Sequence, residues 1–401
     1  MKKFFLALLI LIVSVAAAVW VFRYDILRFS ANMALEKVIP GNVAVKKIVV
    51  DHSARKIEVH GLTMANPRGF SESIFAEMGV FTVKYRMRGK TILTGIEIAG
   101  FECLDLVVRI ERLSNGRINS EEVDIVAPGG NSERLPEIEF RNSGGHAESG
   151  TGTAVAKSVS EAVDLSGRIP GEVINGKVFF TDNMVVKGPF FGSLEDINSD
   201  VGFVLSDDYE ITYFDAEGQG FVNGDVSQRV KWNISSDLAL EMVSMSNRIE
   251  PENVDIMIFK PYYDQFSPVN IKKGRVSGTV IFDLNGRNIG SDNTLRFKDL
   301  EFTERETTYA SEFWDTSITD VVKYLELSSG ETVFDFKIKG SIDNPRFYPG
   351  PNVSRAIRNM AVDKIGEMIK RSTEPDETAD GTKGKSDVDR ALEIFQELMK
   401  K

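Results

Sequence analysis

The chain has 401 residues, 42% of them hydrophobic, which is ample for a buried core and rules against an intrinsically disordered protein. A formal net charge of -11, with no clustered run of Lys and Arg, argues against a nucleic-acid partner, whose phosphates need such clusters. The single cysteine, Cys103, cannot close an intramolecular disulfide and reads as a small buried hydrophobe.

In chain order, a three-residue tip, 1–3, precedes the uncharged stretch FFLALLILIVSVAAAVWVF at 4–22. About 20 consecutive apolar residues span a bilayer core as a helix, so Phe4 to Phe22 is expected to be a membrane anchor with Trp20 near the far interface. Lys2 and Lys3 place the N-terminus in the cytoplasm and the bulk of the chain beyond the membrane. A cleaved signal peptide is the competing reading, because Ala16-Ala17-Ala18 fits a small-x-small site. The apolar run nevertheless continues through Val19, Trp20, Val21 and Phe22.

Residues 23–126 are expected to form a first β region. From Val80 to Arg88, Phe81, Val83, Tyr85 and Met87 alternate with Thr82, Lys84, Arg86 and Arg88, as in a half-buried antiparallel strand. Leu104, Leu106, Val108 and Ile110 continue in step after a break at Gly100 that signals a turn or bulge. Residues 127–170 shift to Gly, Ser, Ala and Glu and read as a flexible linker or loop. A second β region is expected over 171–350. There Val276, Gly278, Val280, Phe282 and Leu284 oppose polar neighbours, as do Phe334, Phe336 and Ile338. Asn115-Gly116, Asn175-Gly176, Asn223-Gly224, Asn285-Gly286 and Asp343-Asn344-Pro345 resemble hairpin connections. After Pro349-Gly350-Pro351, Asn352 is expected to cap an amphipathic helix over 351–371. A disordered spacer at 372–385 and a short helix at 386–401 end the chain.

The fold class is therefore mainly β, with an N-terminal transmembrane helix, a long antiparallel sheet and amphipathic C-terminal helices. A one-faced sheet must cover its apolar side. Either a packed β-sandwich or a curled sheet holding an apolar ligand does so, and alternation does not separate them. No enzyme is indicated and no cofactor or metal. His52, His60 and His146 lack metal-ligand spacing, and no G-x-S-x-G or Walker-type loop occurs. Asp196-Ile197-Asn198-Ser199-Asp200-Val201-Gly202 resembles a calcium loop, but its glycine falls one place late within strand-like sequence.

Several segments, taken in order, carry a resemblance. Ile57-Glu58-Val59-His60-Gly61-Leu62-Thr63-Met64-Ala65-Asn66-Pro67-Arg68-Gly69-Phe70 is followed by Ile96-x-Ile98-x-Gly100-Phe101 and Asn115-Gly116-Arg117-Ile118-Asn119. Later come Ile174-Asn175-Gly176-Lys177-Val178-Phe179-Phe180, Lys260-Pro261-Tyr262-Tyr263, and Phe336-x-Ile338-x-Gly340-Ser341-Ile342-Asp343-Asn344-Pro345. This succession resembles AsmA-like proteins. The resemblance implies a single-pass protein of the bacterial inner membrane with its bulk in the periplasm. It also implies a repeating β-groove, phospholipid as partner, and a role in lipid transport to the outer membrane or in its homeostasis. The implied contacts extend to the inner membrane and to other envelope proteins or a second copy of the chain. The alternative is an envelope or outer-membrane assembly factor with a dry sandwich core. Under the family reading, strand alternation nominates Phe81, Val83, Tyr85, Val276, Val280, Phe282, Phe334, Phe336 and Ile338 as groove lining.

Overall fold

A computed structural model describes residues 43–87, 96–122, 167–185, 188–206, 211–238, 244–264, 269–304, 318–327 and 329–373. The expected anchor with Phe4, Trp20 and Phe22, the centre of the 127–170 segment and residues 374–401 lie outside the described residues. Among the described residues no helix is long and apolar enough to cross a membrane. The described chain is mainly β, with mixed strand pairing and few helices. It divides into two compact units, one reaching to Ile249 with Asp283–Gly286, the other comprising Glu250–Phe282 and the residues from Arg287 onward.

The first unit contains β1 (Val43–Ala44), β2 (Lys47–Asp51), β3 (Lys56–Ala65), β4 (Ile74–Met87), β5 (Ile96–Arg112), β6 (Ile169–Asp182), β7 (Phe190–Leu205), β8 (Ile211–Val222) and β9 (Arg229–Asp237). It also holds the start of β10 (Ser244–Glu252). Both β1 and β2 pair with β3, and from there the strands follow one another in sequence order. Among the described residues the strand pairings of this unit run antiparallel except β5 with β6, where Phe101 lies beside Gly171 and Arg112 beside Asp182 in parallel. This corrects the antiparallel expectation. Parallel neighbours need a long return connection, and the Gly- and Ser-rich segment between β5 and β6 supplies that length. The segment thus joins two strands of one unit rather than two domains, and β6 already begins at Ile169, inside the expected linker.

A line of left-handed residues crosses these strands. Gly61, Asp105, Asn175 and Asp196 have φ of 60°, 54°, 55° and 50°. Register places Gly61 opposite Gly79, Gly79 opposite Asp105, and Asp105 opposite Asn175. The Asn175 amide donates to Asp105 Oδ1 at 2.5 Å, tying adjacent strands at this line. Apolar alternation changes parity there: Phe101 and Cys103 precede Leu106, Val108 and Ile110, while Val178 and Phe180 follow Val173. A single irregular residue re-aims the side chains that follow it, so a parity change keeps apolar groups on one face. Val173 and Ile197 meet at Gly176, and Ile197 and Leu194 meet at Gly220, which joins residues from both sides of the line. Two expectations fall with this geometry. Asn175-Gly176 is an irregularity inside β6, not a hairpin turn, and Leu104 is exposed rather than in step with Leu106. The break at Gly100 is a bulge, since Lys84 pairs with Gly100 but Tyr85 with Ile98.

The second unit holds β11 (Val254–Asp255), a 3-10 turn at Ile256–Phe259 leading into α1 (Lys260–Tyr263), most of β12 (Val269–Asn285), β13 (Asn288–Glu304), α2 (Ile318–Leu325), β14 (Thr332–Ser341), β15 (Asn344–Pro349) and α3 (Pro351–Thr373). β14 and β15 form a hairpin through Ile342-Asp343, and Pro345 and Pro349 sit on β15 at the outer edge, where a missing N–H is tolerated. The C-terminal helix forms as expected. Asn352 does not cap it, however, because the helix starts at Pro351 and the first-turn amides are taken by Asp335 of β14. Leu325 of α2 and Val353 and Ala356 of α3 form a buried cluster onto which Tyr324, Phe334 and Ile357 pack.

Candidate functional site

In the first unit, alternation puts Phe81 and Val83 of β4 beside Cys103 and Phe101 of β5. The Phe101 ring centroid lies 6.1 Å from that of Phe81 and 5.3 Å from that of Phe203 on β7. Two strands can carry touching rings across a third because β6 presents Gly171 between them. A Cβ at Gly171 would come within 2.2 Å of the Phe101 ring. Register then sets Phe203 opposite Phe214 of β8. Phe81, Val83, Phe101, Phe203 and Phe214 are all half-buried. The result is an aromatic row crossing five neighbouring strands on one face.

The other face is charged. Lys84 contacts Glu102 at 2.5 Å, Lys177 contacts Glu195 at 2.9 Å, and Arg168 grips Asp215 through two hydrogen bonds of 2.7 and 2.5 Å. The Asp215 carboxylate, through those hydrogen bonds, holds the Arg168 guanidinium above its usual range. Lys177, then the Ser193 hydroxyl, holds the Glu195 carboxyl below its usual range. Such pairs at a wet surface contribute little stability, so their main effect is to mark which face meets water. A pocket of about 400 Å3 opens where β6 begins beside β5, lined among others by Lys84, Phe101, Glu102, Arg168, Glu172 and Asp200.

The other nominated residues are distributed unevenly. Tyr85 is buried, not open lining: its backbone N–H donates to Arg55 at 3.0 Å, and its hydroxyl lies 3.4 Å from His52 Nδ1. The Asp51 carboxylate shapes that covering turn by accepting the Ser53 and Ala54 amides. Val276, in the second unit, is buried opposite Val254, and so is core too. Val280 and Phe282 are half-buried on β12. Phe334 packs on the helical cluster, Phe336 stacks on Phe347 with centroids 5.2 Å apart, and Ile338 pairs with Phe347, which is 55% exposed.

Sequence reasoning missed Phe203 and Phe214 and left Phe101 as part of a motif. Phe203 follows the calcium-like segment, which the structure places inside β7. The alternation of Val201 with Phe203 was the available signal. His60 sits 3.2 Å from Glu58, and His146 lies outside the described residues. The two N-terminal motif segments do converge. Asn119 is fully buried, donates to Asn66 at 3.1 Å and to the Arg109 carbonyl at 2.7 Å, and accepts the Glu111 N–H at 2.8 Å. Arg117 lies over the Phe70 ring at 5.4 Å. These contacts lock the end of β5; they bring no reactive pair together.

The sequence matches no protein-family model, and a search of curated proteins finds no match to it.

Proposed function

We propose that the chain is a membrane-anchored, AsmA-like envelope protein that handles phospholipid on the apolar face of its sheet, without catalysing a reaction. The observation that carries this reading is the half-buried row Phe81–Phe101–Phe203, continued by Phe214. Acyl chains contribute about 0.8 kcal/mol per buried methylene, so a continuous apolar strip is what lipid carriage requires. The opposite face supports the same reading, because its ion pairs keep that side in water. The uncharged stretch from Phe4 to Phe22 supplies the anchor, and the ordered motifs supply the family likeness. Transport to the outer membrane, or control of its lipid content, is the role such a protein would serve.

The rival, an assembly factor with a dry core, draws on the cluster of Leu325, Val353 and Ala356, where helices cover β14. Mass spectrometry of lipids retained by the purified full chain separates the two. Near-stoichiometric phospholipid on the wild type, lost from a folded Phe101→Glu, Phe203→Glu variant, supports lipid handling. Both proteins carry the same apolar N-terminal segment, so their difference reports the sheet. Equal lipid on both would transfer the proposal to the dry-core reading.

A further inference from the structure

We infer that Asn285 is a site of spontaneous covalent modification, converted through a cyclic imide into aspartate or isoaspartate by the backbone nitrogen of Gly286. The chain carries four Asn-Gly pairs, at Asn115, Asn175, Asn223 and Asn285. At each, the chemistry needs a side-chain amide free to turn onto the next residue and a backbone nitrogen free to attack it. Glycine leaves that nitrogen unshielded, because it has no Cβ.

The structure separates the four pairs. Asn115 Oδ1 accepts the Arg117 N–H at 3.2 Å, and the Gly116 N–H donates to the Leu113 carbonyl at 2.9 Å. The Asn175 side chain donates to Asp105 at 2.5 Å, and Gly176 lies inside β6 opposite Ile197. Asn223 Oδ1 accepts the Ser193 N–H at 2.9 Å, and the Gly224 N–H donates to the Phe221 carbonyl at 3.3 Å. At these three positions hydrogen bonds have to break before the ring can close. Asn285 differs. It is exposed at the end of β12, and Gly286, with φ of 58°, opens the turn to β13. Among the described residues neither the Asn285 side chain nor the Gly286 N–H takes part in a hydrogen bond. An exposed side chain changes rotamer within nanoseconds, so the reactive arrangement is sampled continually.

Water is the co-reactant. The deprotonated Gly286 nitrogen bonds to Asn285 Cγ, the bond from Cγ to Nδ2 breaks, and ammonia leaves with the proton that the nitrogen gave up through solvent. Water then adds to one of the two imide carbonyls. Cleavage of the new bond from nitrogen to Cγ yields aspartate. Cleavage of the original peptide bond yields isoaspartate, whose main chain runs through Cβ and Cγ. Nothing is oxidised or reduced. Either product puts a carboxylate where a neutral amide stood. The iso form also lengthens the backbone between β12 and β13, and the length of such a connection is what sets the register of the strands it joins.

The test ages the purified full chain at neutral and at mildly alkaline pH and follows all four asparagines by peptide mass spectrometry, with fragmentation that distinguishes isoaspartate from aspartate. Asn285 is expected to convert about tenfold faster than Asn115, Asn175 or Asn223, the factor that one or two hydrogen bonds to be broken impose on the others. Conversion should be faster at the higher pH, because the attacking nitrogen has to lose its proton. In urea, where the folded contacts are gone, the four rates should converge. An Asn285 rate no greater than the other three in the folded chain overturns the proposal. So do four rates that remain apart in urea, which would trace the difference to neighbouring sequence rather than to the fold.

Discussion

Asp335 on β14 reaches the start of α3 and accepts the Val353 N–H at Oδ1, 2.9 Å away, while Oδ2 accepts the Asn352 N–H at 3.0 Å. The strand's own carbonyl takes the Gly350 N–H at 2.9 Å. First-turn amides have no partner within their helix, so a carboxylate from another element serves as the cap, favoured by the positive end of the helix dipole. Asp335→Ala should cost about 1–2 kcal/mol and loosen α3. Asp335→Asn, which keeps an acceptor, should cost less. Urea denaturation and proteolysis near α3 report both effects, and identical midpoints for Asp335→Ala and wild type would refute the cap.

Gly171 makes room for the Phe101 ring. Gly171→Ala should destabilise by about 1–3 kcal/mol, the usual cost of overpacking. Because the clash is with one ring, Phe101→Leu should recover part of that loss. A double-mutant cycle measures the coupling, and strictly additive effects would show that the ring does not lie over the glycine.

Asn175 has a φ of 55°, a conformation that β-branched residues adopt at a cost of roughly 1–2 kcal/mol. Asn175→Val should therefore lower the unfolding temperature clearly, and Asn175→Gly only slightly, the latter through loss of the hydrogen bond to Asp105. Equal stability of the two variants would contradict the left-handed line.

Much of this was legible because alternation survives locally. The β4 and β14 strands, the hairpin at Asp343 and the C-terminal helix follow directly from the pattern of their residues. What the pattern hid has physical causes. A parity change at Asp105 and Asn175 reads in sequence as a broken strand or a turn, because period-two counting assumes an unbroken pleat. Parallel pairing of β5 with β6 depends on chain direction, which alternation does not encode. The aromatic row was only half visible. Phe81 and Phe203 belong to distant segments, and their approach depends on Gly171, which has no side chain to announce a role. Asp335 looked like a solvent-facing strand residue because its partners are backbone amides.

Burial pushes the Cys103 thiol up to about 11 from its ordinary 9.0. The folded state thus holds this proton more tightly than the unfolded chain. The resulting stability is fully present below about pH 9 and is lost as pH rises through about 11. Stability should fall over that window, and Cys103→Ala should reduce this fall while leaving a small cavity. At neutral pH the native thiol should react with a maleimide far more slowly than in urea. Fast native labelling would contradict its burial under the apolar face.

The most direct test of the proposed phospholipid on the apolar face replaces Phe203 by a photoreactive phenylalanine analogue in the full chain, incubated with phospholipid vesicles. Glu217, whose partner in β7 is Asp200 rather than an aromatic residue, receives the same replacement as a control. After illumination, phospholipid covalently bound at position 203 and absent at position 217 is the predicted result. Protein cross-links alone at position 203, or equal lipid capture at both positions, would contradict lipid handling by this sheet.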